Sequence, residues 1–244
     1  MKICLFAGPS LFEEATPAGV SRYGPVARGS VFRAVEAGYQ RIGIVDGVFG
    51  NMPSVWHKEI LFAIAEGVEA AGAASTGALR EAELWSLGMV GLGRIYRLFR
   101  SGSWTDDDEV AVLHAPEELG FRPLSDAMAN IRFTLRKLRR WRLIDRDVEF
   151  DLIERMKCRH FSERTADELR CQGVEVLGRS EADRLMRAYR REYIDVKRID
   201  ARILMQYLAG QRPDHSGKRR GVFRASWHWR RQFERQIADV PPLR

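Results

Sequence analysis

The front of the chain alternates short apolar runs with segments in which apolar residues recur at helical spacing. KICLFAG (2–8) is a β-type run that stops at Gly8-Pro9-Ser10. Residues 11–29 are rich in Pro, Gly and Ala and read as loop with one helical turn. SVFRAVEAGY (30–39) predicts a helix opened by Ser30 and stopped by glycine. RIGIVDG (41–47) predicts a buried strand ending at Asp46-Gly47. SVWHKEILFAIAEG (54–67) predicts a helix with Ser54 as its cap and Gly67 as its stop. VEAAGAAS (68–75) is a small-residue strand, and TGALREAELWSLG (76–88) and GRIYRLFRSG (93–102) are helices. DDDEVAVLHA (106–115) reads as acids followed by an alternating strand. SDAMANIRFTLRKLRRWRLI (125–144) is a long amphipathic helix with an Arg-rich end. This rhythm predicts an α/β fold with a mostly parallel sheet and flanking helices.

The back of the chain has helical pattern at 147–159, 165–172 and 180–210, with Thr165 and Ser180 in N-cap positions. Residues 210–221 read as loop and 225–240 as a last helix. The expected organisation is an α/β core over 1–138 and a basic, mainly helical extension over 139–244.

Composition adds limits. At 244 residues and 45% hydrophobic the chain can bury a sizeable core, which excludes disorder as its overall state. No run of 18 apolar residues suggests a membrane span, and the N-terminus reads as a first strand rather than a signal peptide. Three scattered cysteines, Cys4, Cys158 and Cys171, point to a reducing cytoplasm and away from a disulfide scaffold or a Cys-based zinc site.

Charge divides the chain. Residues 1–130 hold 11 Lys and Arg against 16 Asp and Glu, a net −5, and residues 131–244 hold 29 against 17, a net +12. Arginine clusters with interspersed Trp141, Trp227 and Trp229 suit an acidic protein partner or a solvated face before they suit nucleic acid. Only 6 of the 40 basic residues are Lys, and the front part has just Lys2 and Lys58.

The segment GAASTGALREAE (72–83) carries the best candidate chemistry. A small-residue strand runs into Ser75, then Thr76 and Gly77, then a helix. That places a hydroxyl at a strand end and at a helix N-terminus, where free N–H groups can hold an oxyanion. A plain helix cap is the simpler reading of the same serine. Lys58 is a candidate base, because a desolvated Lys can lose its proton whereas Arg cannot. Its plainer alternative is a solvated Lys paired with Glu59 or Glu66. A rival arrangement joins Ser75 to His57 or His114 and to Asp46. His57 and Lys58, one residue apart on a helix, point about 100° apart, so they cannot both face one pocket well. Asp106 to Glu109 form an acidic run without calcium-loop spacing. The sequence has no Walker A loop and no dinucleotide fingerprint.

The segments IGIVDGVFGNMPSVWHKEILFAIAEGV, GAASTGALREAEL, DDDEVAVLHAPEELGFRPLSDAMANIRFTL and the opening FAGPSL resemble the TfuA core domain. The resemblance covers most of residues 1–136. The basic region beyond about 140 matches no pattern. Thr76 stands where many relatives carry Met, and Ser30 where the related motif often has Asp.

The resemblance implies a partner of a YcaO enzyme in backbone thioamidation of ribosomally made peptides. It implies hydrolysis of the C-terminal thiocarboxylate of a ThiS-like sulfur-carrier protein by a Ser-Lys pair, and help in engaging the YcaO substrate. Ser75 and Lys58 are the positions that match the pair. Thr76 and Gly77 would supply backbone N–H groups, with Arg80, His57, Asp46 and Trp56 in support. The expected cofactor set is empty, with ATP and Mg at the YcaO partner, and no metal. The precursor peptide would come through YcaO, with no membrane and no nucleic acid. The alternative is a non-catalytic adaptor that docks YcaO and its peptide.

Overall fold

The computed structural model describes residues 1–48 and 53–210, with Arg231, Arg235 and Leu243. The loop expected over 210–221 and the helix expected over 225–240 fall almost wholly outside these. The chain divides into two compact units, Met1–Thr105 with Arg198–Arg244, and Asp106–Lys197. The boundary expected at 138/139 therefore falls inside the second unit. The helices described are α1 (Ser30–Glu36), α2 (His57–Ala65), α3 (Thr76–Leu84), α4 (Ile95–Arg100), α5 (Met128–Arg140), α6 (Arg146–Lys157), α7 (Ala166–Leu177), α8 (Arg179–Glu192) and α9 (Val196–Leu208). None is long and apolar enough to cross a membrane.

The first unit is built on strands β1 (Ile3–Phe6), β2 (Val20–Tyr23), β3 (Arg41–Ile44), β4 (Glu69–Gly72) and β5 (Val90–Gly91). They form one parallel sheet in the order β2-β1-β3-β4-β5. Alternation along each strand serves two cores. Cys4, Phe6, Ile42, Ile44 and Ala70 face Val31, Ala34, Ile60 and Ala63 of α1 and α2. Leu5, Ala7, Val45, Ala71 and Ala73 pack with Ala201, Leu204, Met205 and Leu208 of α9. A parallel sheet must be covered on both faces. The second cover comes from the basic back part, so α9 belongs to the core and not to an appended extension. Arg41, buried, fixes it by donating to the carbonyls of Leu208 (2.9 Å) and Tyr207 (3.2 Å) while pairing with Glu69. Cationic donors suit the carbonyl end of a helix.

Two strands differ from expectation. β2, expected as loop, is a four-residue half-exposed edge strand between turn residues, so its pattern is weak. β5, also unexpected, has only two residues.

Asp200 of α9 ties the helix to the sheet's far end. Its Oδ2 accepts from the N–H groups of Arg94 (2.7 Å) and Ile95 (2.8 Å), while Oδ1 is buried with no hydrogen-bond partner among the described residues. Burial pushes this carboxyl up to about 6, against the pull of those N–H groups. A carboxyl raised in the folded state stabilises the fold most below its unfolded value, and that contribution is lost as pH rises through the folded value. From pH 4 to 7 the wild type is expected to lose up to about 3 kcal/mol through this group. Urea unfolding of Asp200→Asn across that range should lack this component; equal slopes in both proteins would refute it.

The second unit is helical. Leu135, Leu138, Leu152, Met156, Leu169, Leu185 and Tyr189 form its core. Thr165 caps α7 by accepting from the Glu168 N–H, as expected. Ser180 does not cap α8, which starts after Gly178. The run 180–210 is broken at Tyr193–Asp195 into α8 and α9. The strand expected within 106–115 does not form. Asp107–Glu109 is a 3-10 turn, and the segment's one bridge in the described residues joins His114 to Pro123. Its acids are drawn into an ion network, with Asp108 on Arg164 (2.6 Å) and Glu109 on Arg132 (2.9 Å) and Lys157 (3.1 Å).

Candidate active site

In open α/β sheets ligands bind beyond the carboxyl ends of the strands, where the strand order reverses. Here that reversal lies between β1 and β3. Three loops of the first unit end there: Gly8–Ser10 after β1, Asp46-Gly47 after β3, and Ala73–Gly77 after β4.

Asp46 is buried and organises the first two. Its Oδ2 accepts from the N–H groups of Gly8 (2.9 Å) and Ser10 (3.0 Å), and its Oδ1 accepts from Ser10 Oγ (2.6 Å). Ser10 was not among the expected site residues. Its only sequence signal is its place in the Gly-Pro-Ser stop of β1, because the pairing of β1 with β3 cannot be read from local pattern.

The third loop presents Ser75. Ala74 has φ 65°, and the Ser75 N–H donates to the Ala73 carbonyl at 2.8 Å. This is a γ-turn of the rare positive-φ kind, an unfavourable conformation for a residue with a Cβ. Ser75 follows at the N-cap of α3, and its side chain makes no cap bond. The plain-cap reading of this serine therefore fails. The turn resembles a nucleophile elbow in placing a hydroxyl between a strand and a helix N-terminus. Ser75 is 1% exposed.

The oxyanion assignment changes in one respect. The Gly77 N–H donates to the Val45 carbonyl at 3.1 Å, so it is already committed to β3. Ala78 and Leu79 turn back to the Ser75 carbonyl. Of the first turn, Thr76 is left with a backbone N–H that has no backbone acceptor among the described residues. The Thr76 side chain is pressed against Gly47, where an added Cβ would lie 2.5 Å from its Oγ1.

Lys58 departs from expectation. It was expected buried beside Ser75; it lies exposed on the first turn of α2, and no hydrogen bond joins it to Ser75 among the described residues. The buried residue of that turn is its neighbour Glu59. Both Glu59 oxygens accept from the Gly29 N–H at 2.9 Å, and Oε1 also accepts from the Trp56 N–H at 3.2 Å. One carboxylate thus serves the N-termini of α1 and α2, which Ser30 and Ser54 were expected to cap. Burial nonetheless pushes its carboxyl up to about 7.

The supporting residues are also placed. Trp56 is the N-cap residue of α2, with the Arg28 guanidinium 5.5 Å from its ring centre. His57 is exposed and meets Glu83 at 2.6 Å. Arg80 pairs with the same Glu83 oxygen at 2.7 Å and donates to the Val55 carbonyl at 3.3 Å. Neither His57 nor Arg80 is therefore an uncommitted group. His114 belongs to the second unit, with its Nδ1 2.8 Å from the Ala115 carbonyl oxygen. Burial pushes the Cys4 thiol up to about 12, so it offers no thiolate for sulfur chemistry. Among the described residues no group of three or more His, Cys, Asp and Glu could hold a metal ion.

A parallel sheet covered on both faces, with Ser10, Asp46, Ser75 and Thr76 in the loops at its carboxyl edge, defines a doubly wound α/β domain. Residues 46–165 match the family model described as TfuA-like protein, and over that span the chain is TfuA-like. The match includes Asp46, Lys58, Ser75 and Arg80. A search of curated proteins found no match.

Proposed function

We propose that the protein delivers sulfur to a YcaO-type thioamidation enzyme by hydrolysing the C-terminal thiocarboxylate of a ThiS-like carrier protein. The observation that carries this reading is Ser75, held by the strained Ala74 turn at a helix N-terminus without serving as its cap. In the reaction Ser75 Oγ attacks the thiocarboxylate carbon, and the Ser75 proton passes to a base and then to the departing sulfur. The C–S bond breaks and hydrosulfide leaves. Water then attacks the acyl-serine, restoring the hydroxyl and releasing the carrier as an ordinary carboxylate. The Thr76 N–H faces the developing oxyanion. Lys58 acts once the bound carrier tail covers it, because burial is what would make an exposed ammonium a base. ATP and Mg act at the YcaO enzyme, where the amide is activated.

The second reading is a non-catalytic adaptor for YcaO and its peptide. The exposure of Lys58 favours it, since the expected base is turned to solvent.

The test is sulfide release by the purified protein from a thiocarboxylated carrier. Lys58→Met is expected to slow release by about 10²- to 10⁴-fold, the usual worth of a general base. No release by the wild type, with YcaO stimulation retained, would establish the adaptor instead.

A further inference from the structure

The second unit contains a cavity of about 680 Å³ that the Ser75 reading does not use. It lies between the end of α5, the α5–α6 turn, the start of α6, and the facing parts of α7 and α8. Its apolar floor includes Leu143, Ile144, Val148, Leu177 and Leu185. Leu143 is 42% exposed, so the cavity is an open groove. Four arginines stand on its rim, Arg139, Arg142, Arg146 and Arg184, against two acids, Asp145 and Glu181. Arg139 is paired with Glu149, and Arg184 with Glu181. Arg142 and Arg146 are exposed and have no ion pair among the described residues.

Arg142 occupies a position that disfavours it. It ends α5 with φ 58°, and the Leu143 N–H returns to the Leu138 carbonyl at 3.0 Å. This is a glycine-type helix ending, in which a side chain costs stability. A non-glycine residue held there points to a use for its side chain.

We propose that this groove binds a short acidic segment of a partner polypeptide. Apolar side chains of that segment enter the floor, and its carboxylates meet Arg142 and Arg146. Guanidinium groups match carboxylates in two-point geometry, and apolar contact with a charged rim is the pattern of a peptide site. The chain's own segment 211–230 is an unsuitable occupant, because its six basic residues against one acid repeat the sign of the rim. The inference is separate from the Ser75 chemistry and does not depend on it.

The test uses the full chain and a fluorescent synthetic peptide of Glu, Ala and Leu with leucines at helical spacing, read by anisotropy. Arg142→Gly and Arg146→Gln are each expected to weaken binding about tenfold, and the pair about a hundredfold. Arg142→Gly should keep or raise the unfolding midpoint, which separates lost binding from lost folding. Ser75→Ala should bind like the wild type. The proposal is overturned if the double variant binds equally well. It also fails if exchanging Glu for Gln or Leu for Ser in the peptide changes nothing, if free glutarate displaces the peptide at comparable concentration, or if the wild type binds no peptide.

Discussion

Ser75→Ala is expected to lower sulfide release from the thiocarboxylated carrier by about 10³-fold or more, with little loss of stability. The two effects separate because of where the serine sits. Its backbone is held by the Ala74 turn and by the Ala78 and Leu79 N–H groups, which a methyl side chain leaves in place. Its side chain makes no cap bond, so the usual cost of about 1 kcal/mol for deleting a helix cap is not incurred through α3. The variant should therefore fold, and thioamide formation should recover when free sulfide is supplied to the YcaO reaction. That rescue is specific to sulfur delivery. An adaptor would be indifferent both to the substitution and to the added sulfide. Release by Ser75→Ala at the wild-type rate would remove the serine from the chemistry.

The first of these features could be read from residues alone. β1, β3 and β4 are apolar runs with glycine or serine stops, and helical spacing follows each of the last two. Such local signals placed Ser75 at a strand-to-helix turn. They could not place Lys58. Its scarcity as a lysine says nothing about exposure, and the turn of α2 that it shares with Glu59 buries the acid instead. That burial is set by the Gly29 N–H, thirty residues earlier in the chain. The cover of the sheet's second face was equally hidden. Leu208 packs on Gly43 across 165 residues, and nothing within either segment announces it. Net charge misled in the same way, because a segment can be basic on its solvated side and still bury Ala201, Leu204 and Leu208. The strand expected within 106–115 failed for the opposite reason. Its alternation is genuine, but its acids have arginine and lysine partners within a helical unit.

Gly77→Ala is expected to destabilise the protein by about 3 kcal/mol or more, a large loss for adding a single methyl group. A Cβ at this position would lie 1.8 Å from the Ile44 carbonyl oxygen and 2.6 Å from its carbon. That oxygen is backbone of a central strand and already accepts from the Ala73 N–H at 3.1 Å, so it cannot give way cheaply. Gly72 meets the same constraint from the other side, since its added Cβ would lie 2.0 Å from the Gly77 carbonyl oxygen. The two glycines let β4 and the start of α3 touch, and that contact seats Ser75 and Thr76 at the edge of the sheet. Gly173 of α7 is the control. An added Cβ there meets Ala182 at 3.4 Å and Leu185 at 3.6 Å, which is ordinary contact. Gly173→Ala should therefore stabilise by about 0.5–1 kcal/mol through helix propensity. Urea unfolding of the two variants should move in opposite directions. If Gly77→Ala unfolds at the wild-type midpoint, the close approach of β4 and α3 is not what holds the serine in place.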